Sequence, residues 1–125
     1  MKVIYPAIFH KDTDGYWVEF PDLPGCFSDG DTTEEALVNA SEALLGYCQT
    51  MLENKQTLNK PTPIQDIKPD ADCFTSFVES ELVFKKSSTK KTLTIPTWLN
   101  EAAEKRGVNF SAILQKALIK ELGIL

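Results

Sequence analysis

Six carboxylates in the first third of the chain are the residues with the most obvious chemical potential. They are Asp12, Asp14, Glu19, Asp22, Asp29 and Asp31. Several carboxylates that converge on two metal ions can activate water and cleave a phosphodiester bond. These acids lie mainly on predicted turns and loop edges, where acidic residues are common in any protein. We therefore expect no catalytic residue, metal or cofactor, and a metal-dependent nuclease is the alternative.

A second set of polar residues, near the end of the chain, could contact nucleic acid. From Lys90 to Pro96 polar and apolar residues alternate. A strand there would place Lys90, Thr92 and Thr94 on one face and Leu93 and Ile95 on the other. Short polar side chains on a strand can reach base edges in the major groove. The simpler alternative is a solvated strand that serves only dimerisation.

Two short helices are predicted to position this strand. Pro96 ends the strand, and Thr97 is a good N-cap for a helix that runs through Arg106 and ends at Gly107. The inward face of this helix would be Trp98, Leu99, Ala102 and Ala103. Asn109 or Ser111 caps a second helix with apolar residues at i, i+3 and i+4 spacing. Those residues are Phe110, Ile113, Leu114, Ala117, Leu118 and Leu122.

The segment from residue 90 to 125 is too small to bury a stable core alone. One strand cannot make a sheet either, so the sequence predicts a homodimer in which two copies pair these strands antiparallel. The predicted dimer interface is Leu93, Ile95, Ile113, Leu114 and Leu118.

This order of elements resembles the ribbon-helix-helix fold, in which a two-stranded ribbon enters the major groove of DNA. The resemblance implies that Lys90, Thr92 and Thr94 face base edges. It also implies that the start of the last helix, at Asn109, Phe110 and Ser111, binds a phosphate through free backbone N–H groups.

The distribution of charge supports a DNA-binding tail. Residues 1–68 hold five lysines against eleven acids, a net charge of −6, and residues 69–85 hold one lysine against four acids, a net −3. Residues 86–125 hold seven basic residues against three acids, a net +4. The positive charge needed for a phosphate backbone is therefore concentrated in the tail. The acidic remainder suits a basic protein partner.

The first domain is predicted to span residues 1–84 in the order β-β-β-α-β. A strand with Val3, Tyr5, Ala7 and Phe9 on one face turns at residues 12–15 into a second strand, and Cys26 to Ser28 forms a short third strand. Thr32 or Asp31 caps a long helix. Its predicted apolar stripe is Ala36, Leu37, Ala40, Ala43, Leu44, Tyr47, Met51 and Leu52. Residues 54–72 read as an exposed connection, 75–84 as a strand and 85–89 as a hinge.

Cysteine usage and hydropathy exclude some classes of protein. Cys26, Cys48 and Cys73 form no C-x-x-C pair and His10 is the only histidine, which argues against a zinc site and predicts reduced, mostly buried thiols. No stretch approaches the length of apolar residues needed to span a bilayer, and the N-terminus lacks a signal-peptide core. We expect no membrane association and a cytoplasmic location.

A longer ordered motif resembles the HicB antitoxins. It consists of GYWVEFPDLPGC at residues 15–26, SDGDT at 28–32, EEA at 34–36 and NA at 39–40. The resemblance implies an α+β chain with a truncated ribonuclease-H-like N-terminal domain and a C-terminal ribbon-helix-helix domain. It also implies a partner, the HicA toxin, which is a small basic ribonuclease with an active-site histidine, and repression of the operon that encodes both.

The resemblance and the charge together predict an antitoxin and autorepressor, not an enzyme. It would act as a homodimer or dimer of dimers on operator DNA. Trp17 and Phe27 are expected in the core, and the alternative is that they anchor the partner. The exposed acids expected to contact the toxin are Glu19, Asp22, Asp29, Asp31, Glu34 and Glu35. The alternatives are the metal-dependent nuclease and a transcriptional repressor that has no toxin partner.

Overall fold

The chain folds as an antiparallel sheet with one long helix, followed by two short helices, in a computed structural model that describes residues 1–83 and 87–123. The strands are β1 (Lys2–Asp12), β2 (Gly15–Glu19), β3 (Phe27–Gly30) and β4 (Cys73–Glu81), and the helices are α1 (Thr33–Glu53), α2 (Thr97–Arg106) and α3 (Phe110–Glu121). The predicted α+β class and the order β-β-β-α-β are confirmed. The predicted domain boundary at residues 84 and 85, the start of the hinge and the last two residues of the tail lie outside the described residues.

The sheet has the strand order β3-β2-β1-β4, so β1 is a central strand with two neighbours. It pairs with β2 from Ile8 to Asp12 and with β4 from Lys2 to His10. Because side chains alternate along a strand, the odd-numbered residues of β1 share one face. Val3, Tyr5, Ala7 and Phe9 are buried there, as predicted.

Helix α1 covers this face. The Thr32 hydroxyl accepts a hydrogen bond from the backbone N–H of Glu35 at 3.1 Å, which identifies Thr32 as the N-cap. The buried side chains lie four residues apart at Ala36, Ala40, Leu44 and Cys48. The prediction that Leu37 belongs to this stripe was wrong, because one helical step turns it about 100° from Ala36 and leaves it 42% exposed.

The first and last residues of β3 and the first residue of β4 differ from the sequence prediction. The third strand runs from Phe27 to Gly30 instead of from Cys26 to Ser28. Strand β4 starts at Cys73, two residues before the predicted Thr75. Its pairing with β1 continues as far as the pair of Cys73 with His10. Its predicted end at residue 84 lies outside the described residues.

The connection after α1 is only partly exposed, which corrects the prediction for residues 54–72. Leu58 is buried in the core, and Ile64–Asp66 forms a single 3₁₀ turn. Strand β2 has five residues against eleven in β1, so the first half of β1 lacks a second strand neighbour. The connection packs there, and the Tyr5 hydroxyl donates a hydrogen bond to the Asn59 carbonyl at 2.5 Å.

The two tail helices begin and end close to the predicted residues. Pro96, and not Thr97, precedes the first turn of α2, because Thr97 is already helical. Gly107 ends α2 in the left-handed conformation (φ 69°), as predicted. The Asn109 side chain caps α3 by accepting from the N–H of Ala112 at 3.0 Å. In the single chain, Trp98 and Leu99 are exposed instead of inward-facing.

No strand forms between residues 87 and 96 in the described chain. A strand needs a hydrogen-bonding neighbour, so the predicted ribbon requires a second copy and stays a prediction. The five residues of the predicted dimer interface, Leu93, Ile95, Ile113, Leu114 and Leu118, are each 36–55% exposed. Ile119, on another side of α3, packs against the core of the sheet.

No helix in the described residues is long and apolar enough to cross a membrane.

Two glycines provide a matched test of the packing of α1. A Cβ built on Gly30 would lie 2.3 Å from the backbone nitrogen of Ala36, whereas one on Gly46 would meet nothing within 4 Å. We expect Gly30→Ala to lower the free energy of unfolding by about 1–3 kcal/mol through steric overlap. Gly46→Ala, in the interior of α1, should raise it by about 0.5–1 kcal/mol. Urea denaturation followed by circular dichroism measures both, and equal effects would contradict the packing described.

Candidate functional site

The turn between β1 and β2, the end of β3 and the first turn of α1 enclose an acidic cleft of about 390 Å³. Five carboxylates line it, together with Trp17: Asp12, Asp14, Asp29, Asp31 and Glu35. Four of the six acids singled out in the sequence therefore converge here, and Glu19 and Asp22 do not. Glu34 lies outside the cleft, where hydrogen bonds from its own backbone N–H and from Thr33 lower the pKa of its carboxyl.

The acidic cleft does not have the geometry of a metal centre. In residues 1–83 and 87–123, no group of three or more Asp, Glu, His or Cys side chains is placed to hold a metal ion. Two-metal hydrolysis needs carboxylates that bridge ions about 4 Å apart. The arrangement therefore gives no support to the nuclease alternative.

An aromatic surface lies beside the cleft, on the face of the sheet that α1 leaves open. We call His10, Trp17 and Phe27 the aromatic platform. The rings of His10 and Trp17 stack with centroids 3.8 Å apart and planes 5° apart, and the Phe27 ring lies 6.5 Å from that of Trp17. Trp17 is 37% exposed and Phe27 60% exposed. The prediction that both are core residues was wrong, because α1 covers the opposite face, where their neighbour Val18 is fully buried.

His10 is held in place on both sides of its ring. Its Nε2 lies 3.2 Å from Glu19 Oε1, and its Nδ1 lies 3.0 Å from Cys73 Sγ. Desolvation and the nearby carboxylates of Asp70 and Asp72 raise the pKa of the Cys73 thiol, so this cysteine is not activated as a nucleophile. Sequence reasoning missed His10, although its strand position gave a signal: it shares a face with the other even-numbered residues of β1.

Asp22 has a structural role that reduces its availability to a partner. Its carboxylate accepts hydrogen bonds from the backbone N–H of Thr62 at 2.9 Å and from the Thr62 hydroxyl at 2.6 Å. Its carbonyl accepts another from the Asn59 side chain. These bonds fix the connection after α1 against the loop that follows β2.

The residues predicted to contact DNA are exposed in the tail. Lys90, Thr92 and Thr94 lie in the segment before α2, which has no regular secondary structure. At the start of α3, Asn109 is occupied as the N-cap, Phe110 is 43% exposed, and the Ser111 hydroxyl accepts a hydrogen bond from Gln115.

Comparison with known proteins decides the family. A model described as the HicB-like antitoxin of bacterial toxin-antitoxin systems matches residues 5–117. The chain belongs to the HicB-like antitoxin family. It is therefore an antitoxin by family and not an enzyme, which agrees with the prediction from the sequence.

The chain is also similar to individual relatives and solved structures. A 14.9 kDa protein from the rep-hol intergenic region of Haemophilus phage HP1 is 38% identical over 101 residues, which cover 78% of this chain and 76% of that protein. A chain of a toxin–antitoxin complex from Streptococcus pneumoniae has a TM-score of 0.61 and 29% identity, over 97% of this chain and 99% of that one. A chain of the HicA3 and HicB3 complex has a TM-score of 0.54 and 27% identity, over 63% of this chain and 99% of that one.

The three thiols of this HicB-like antitoxin should differ in reactivity. Burial raises the pKa of Cys26 to about 11 and that of Cys48 to about 12. Both should remain protonated at pH 8 and react with a thiol reagent only after unfolding. Cys73 is partly accessible and should react first, though more slowly than a free cysteine because its pKa is also raised. A Cys73→Ser variant that loses the early phase would assign it, and rapid labelling of Cys48 in the folded protein would contradict the core described here.

Proposed function

We propose that this antitoxin binds and neutralises a HicA toxin through its N-terminal domain, and represses its own operon by binding operator DNA as a homodimer or dimer of dimers. The observation that carries the proposal is the family match, together with structural similarity to chains solved in toxin–antitoxin complexes. The protein would work in the bacterial cytoplasm.

The N-terminal domain has the charge expected of a toxin-binding module. Its four-stranded sheet and single helix are compatible with the truncated ribonuclease-H-like fold that we propose for residues 1–84. Exposed carboxylates at Asp29, Asp31, Glu34 and Glu35 could face a basic toxin surface. Glu19 and Asp22 already have partners within the chain, so we assign them a smaller share of the contact.

The tail has the surface expected of one half of a ribbon-helix-helix dimer. Its apolar residues Leu93, Ile95, Ile113, Leu114 and Leu118 are uncovered in the single chain. Pairing two copies would bury them and would supply the missing neighbour of the segment 90–96. The exposed Lys90, Thr92 and Thr94 would then form the outer face of a two-stranded ribbon, with Asn109, Phe110 and Ser111 near a phosphate.

Neutralisation is tested with the HicA protein encoded by the neighbouring reading frame. Titration of the full chain into a fixed amount of this toxin should abolish cleavage of an RNA substrate near equal molar amounts, because a stoichiometric complex covers the active site. The Leu114→Asp variant should inhibit equally well, since toxin binding is assigned to the other domain. Full cleavage in the presence of excess antitoxin would refute the proposed function.

Dimerisation is tested by placing a charge in the proposed interface. Leu114→Asp would bury an uncompensated carboxylate between the two copies and should convert the dimer to a monomer in sedimentation experiments. Gln115→Asp is a matched control, because it adds the same charge one helical position away. A sedimentation coefficient that is unchanged by Leu114→Asp would exclude this interface.

Operator binding is tested by comparing two kinds of substitution on the proposed ribbon face. Thr92→Ala and Thr94→Ala should each weaken binding to operator DNA by about 1–3 kcal/mol if they contact bases, with little effect on random DNA. Lys90→Ala should weaken binding to both DNAs and lower the salt slope by about one if it contacts phosphate. Gel shifts at two salt concentrations distinguish these effects, and three variants that bind like the parent would rule out this face.

A further inference from the structure

The open face of the sheet carries an exposed aromatic surface that the assigned roles do not explain. Antiparallel partners share a face, and the pairs His10 with Trp17, Trp17 with Asp29 and Glu19 with Phe27 place all these residues on the face opposite α1. We infer that the aromatic platform of His10, Trp17 and Phe27 is the central anchor for the toxin. This inference rests on the proposed function and gives it a specific surface.

The exposure of the aromatic platform is the first argument. A few residues near the centre of a protein interface account for most of the binding energy, and Trp is enriched among them, while Trp and Phe are both enriched in interface cores. Phe27 is 60% exposed although it stands in a strand, and the outer surface of Trp17 is free. A protein partner that covered both rings would remove an apolar surface that the domain itself leaves in water.

The rigidity of Trp17 is the second argument. Its ring lies flat on His10, which is held by Glu19 on one side and Cys73 on the other. A side chain fixed before binding loses little conformational entropy when the partner docks. The His10 network is thus a positioning device for Trp17.

The negative charge around the aromatic platform favours a basic protein as its partner. Asp29 lies on the same face as Trp17, and Asp12, Asp31 and Glu35 line the adjoining cleft. None of these carboxylates takes part in a salt bridge within the described chain. A basic protein surface would complement this rim. A second copy of this chain would instead bring two acidic rims together, so self-association through this face is disfavoured.

The test measures binding of the HicA protein from the neighbouring reading frame to the full-length antitoxin, by biolayer interferometry at two salt concentrations. Trp17→Ala should raise the dissociation constant about 30-fold or more. Phe27→Ala should raise it by about 5-fold or more, and because this side chain is mostly exposed, the variant should fold normally. Asp29→Asn should lower the association rate constant and make this rate constant less dependent on salt concentration.

Phe77→Ala is the matched control. Phe77 is an aromatic residue on the same open face, 57% exposed, but it lies on β4 at the opposite edge of the sheet from Phe27. We expect its effect on the dissociation constant to stay below about 2-fold, within the range of peripheral residues. Circular dichroism confirms the fold of each variant, and Phe27→Ala decides the result if Trp17→Ala is unfolded.

The outcomes distinguish failure of the aromatic platform as the toxin contact from failure of the proposed toxin binding itself. Weaker toxin binding by the platform variants, with Phe77→Ala unchanged and the dimer intact, supports the inference. Parent-like binding by folded platform variants refutes this surface but leaves the proposed function standing. Loss of self-association without loss of toxin binding assigns the platform to a second copy and also refutes the inference. No binding by the parent refutes both.

Discussion

The packing of α1 against one face of the sheet is the interaction on which the N-terminal domain depends. The buried residues of the helix, spaced four apart from Ala36 to Cys48, belong to one core cluster with the alternate buried residues of β1, and the helix contacts β2, β3 and β4. A single helix can cover only one face of a four-stranded sheet. The domain therefore has one buried face, and its other face carries the exposed side chains of Trp17, Phe27 and Phe77.

The tail, like the open face of the sheet, carries apolar surface that the single chain leaves exposed. The tail exposes Leu93, Ile113, Leu118 and other apolar residues that the single chain does not cover. Uncovered apolar surface of this kind marks sites of association. The two halves differ in charge, because acids surround the open face of the sheet whereas basic residues dominate the tail. Under the function we propose, this difference would suit each half to a different partner, because the acidic domain would repel DNA.

Much of the fold could be predicted because its periodicities are local. Val3, Tyr5, Ala7 and Phe9 alternate clearly, and Thr32 is followed by the acids of a helix start. The face on which Trp17 lies was harder to predict, since alternation along β2 defines two faces of the strand but does not show which face α1 covers. Its face-sharing neighbour Glu19 was the available signal, because a charged residue marks the open side. The bonds between Asp22 and Thr62 join residues forty positions apart, and no local pattern predicts them. The predicted ribbon at residues 90–96 would need a second chain as its hydrogen-bonding neighbour, and no strand forms there in the described chain.

We propose that one antitoxin carries two separate binding surfaces, one for toxin and one for DNA. The most direct measurement is the mass, by light scattering after gel filtration, of a mixture of the full chain, operator DNA and the HicA protein of the neighbouring reading frame. We expect one species that contains all three components, since the aromatic platform and the proposed ribbon at residues 90–96 lie in separate segments of the chain. Displacement of the DNA by the toxin, with only binary complexes in the eluate, would contradict it.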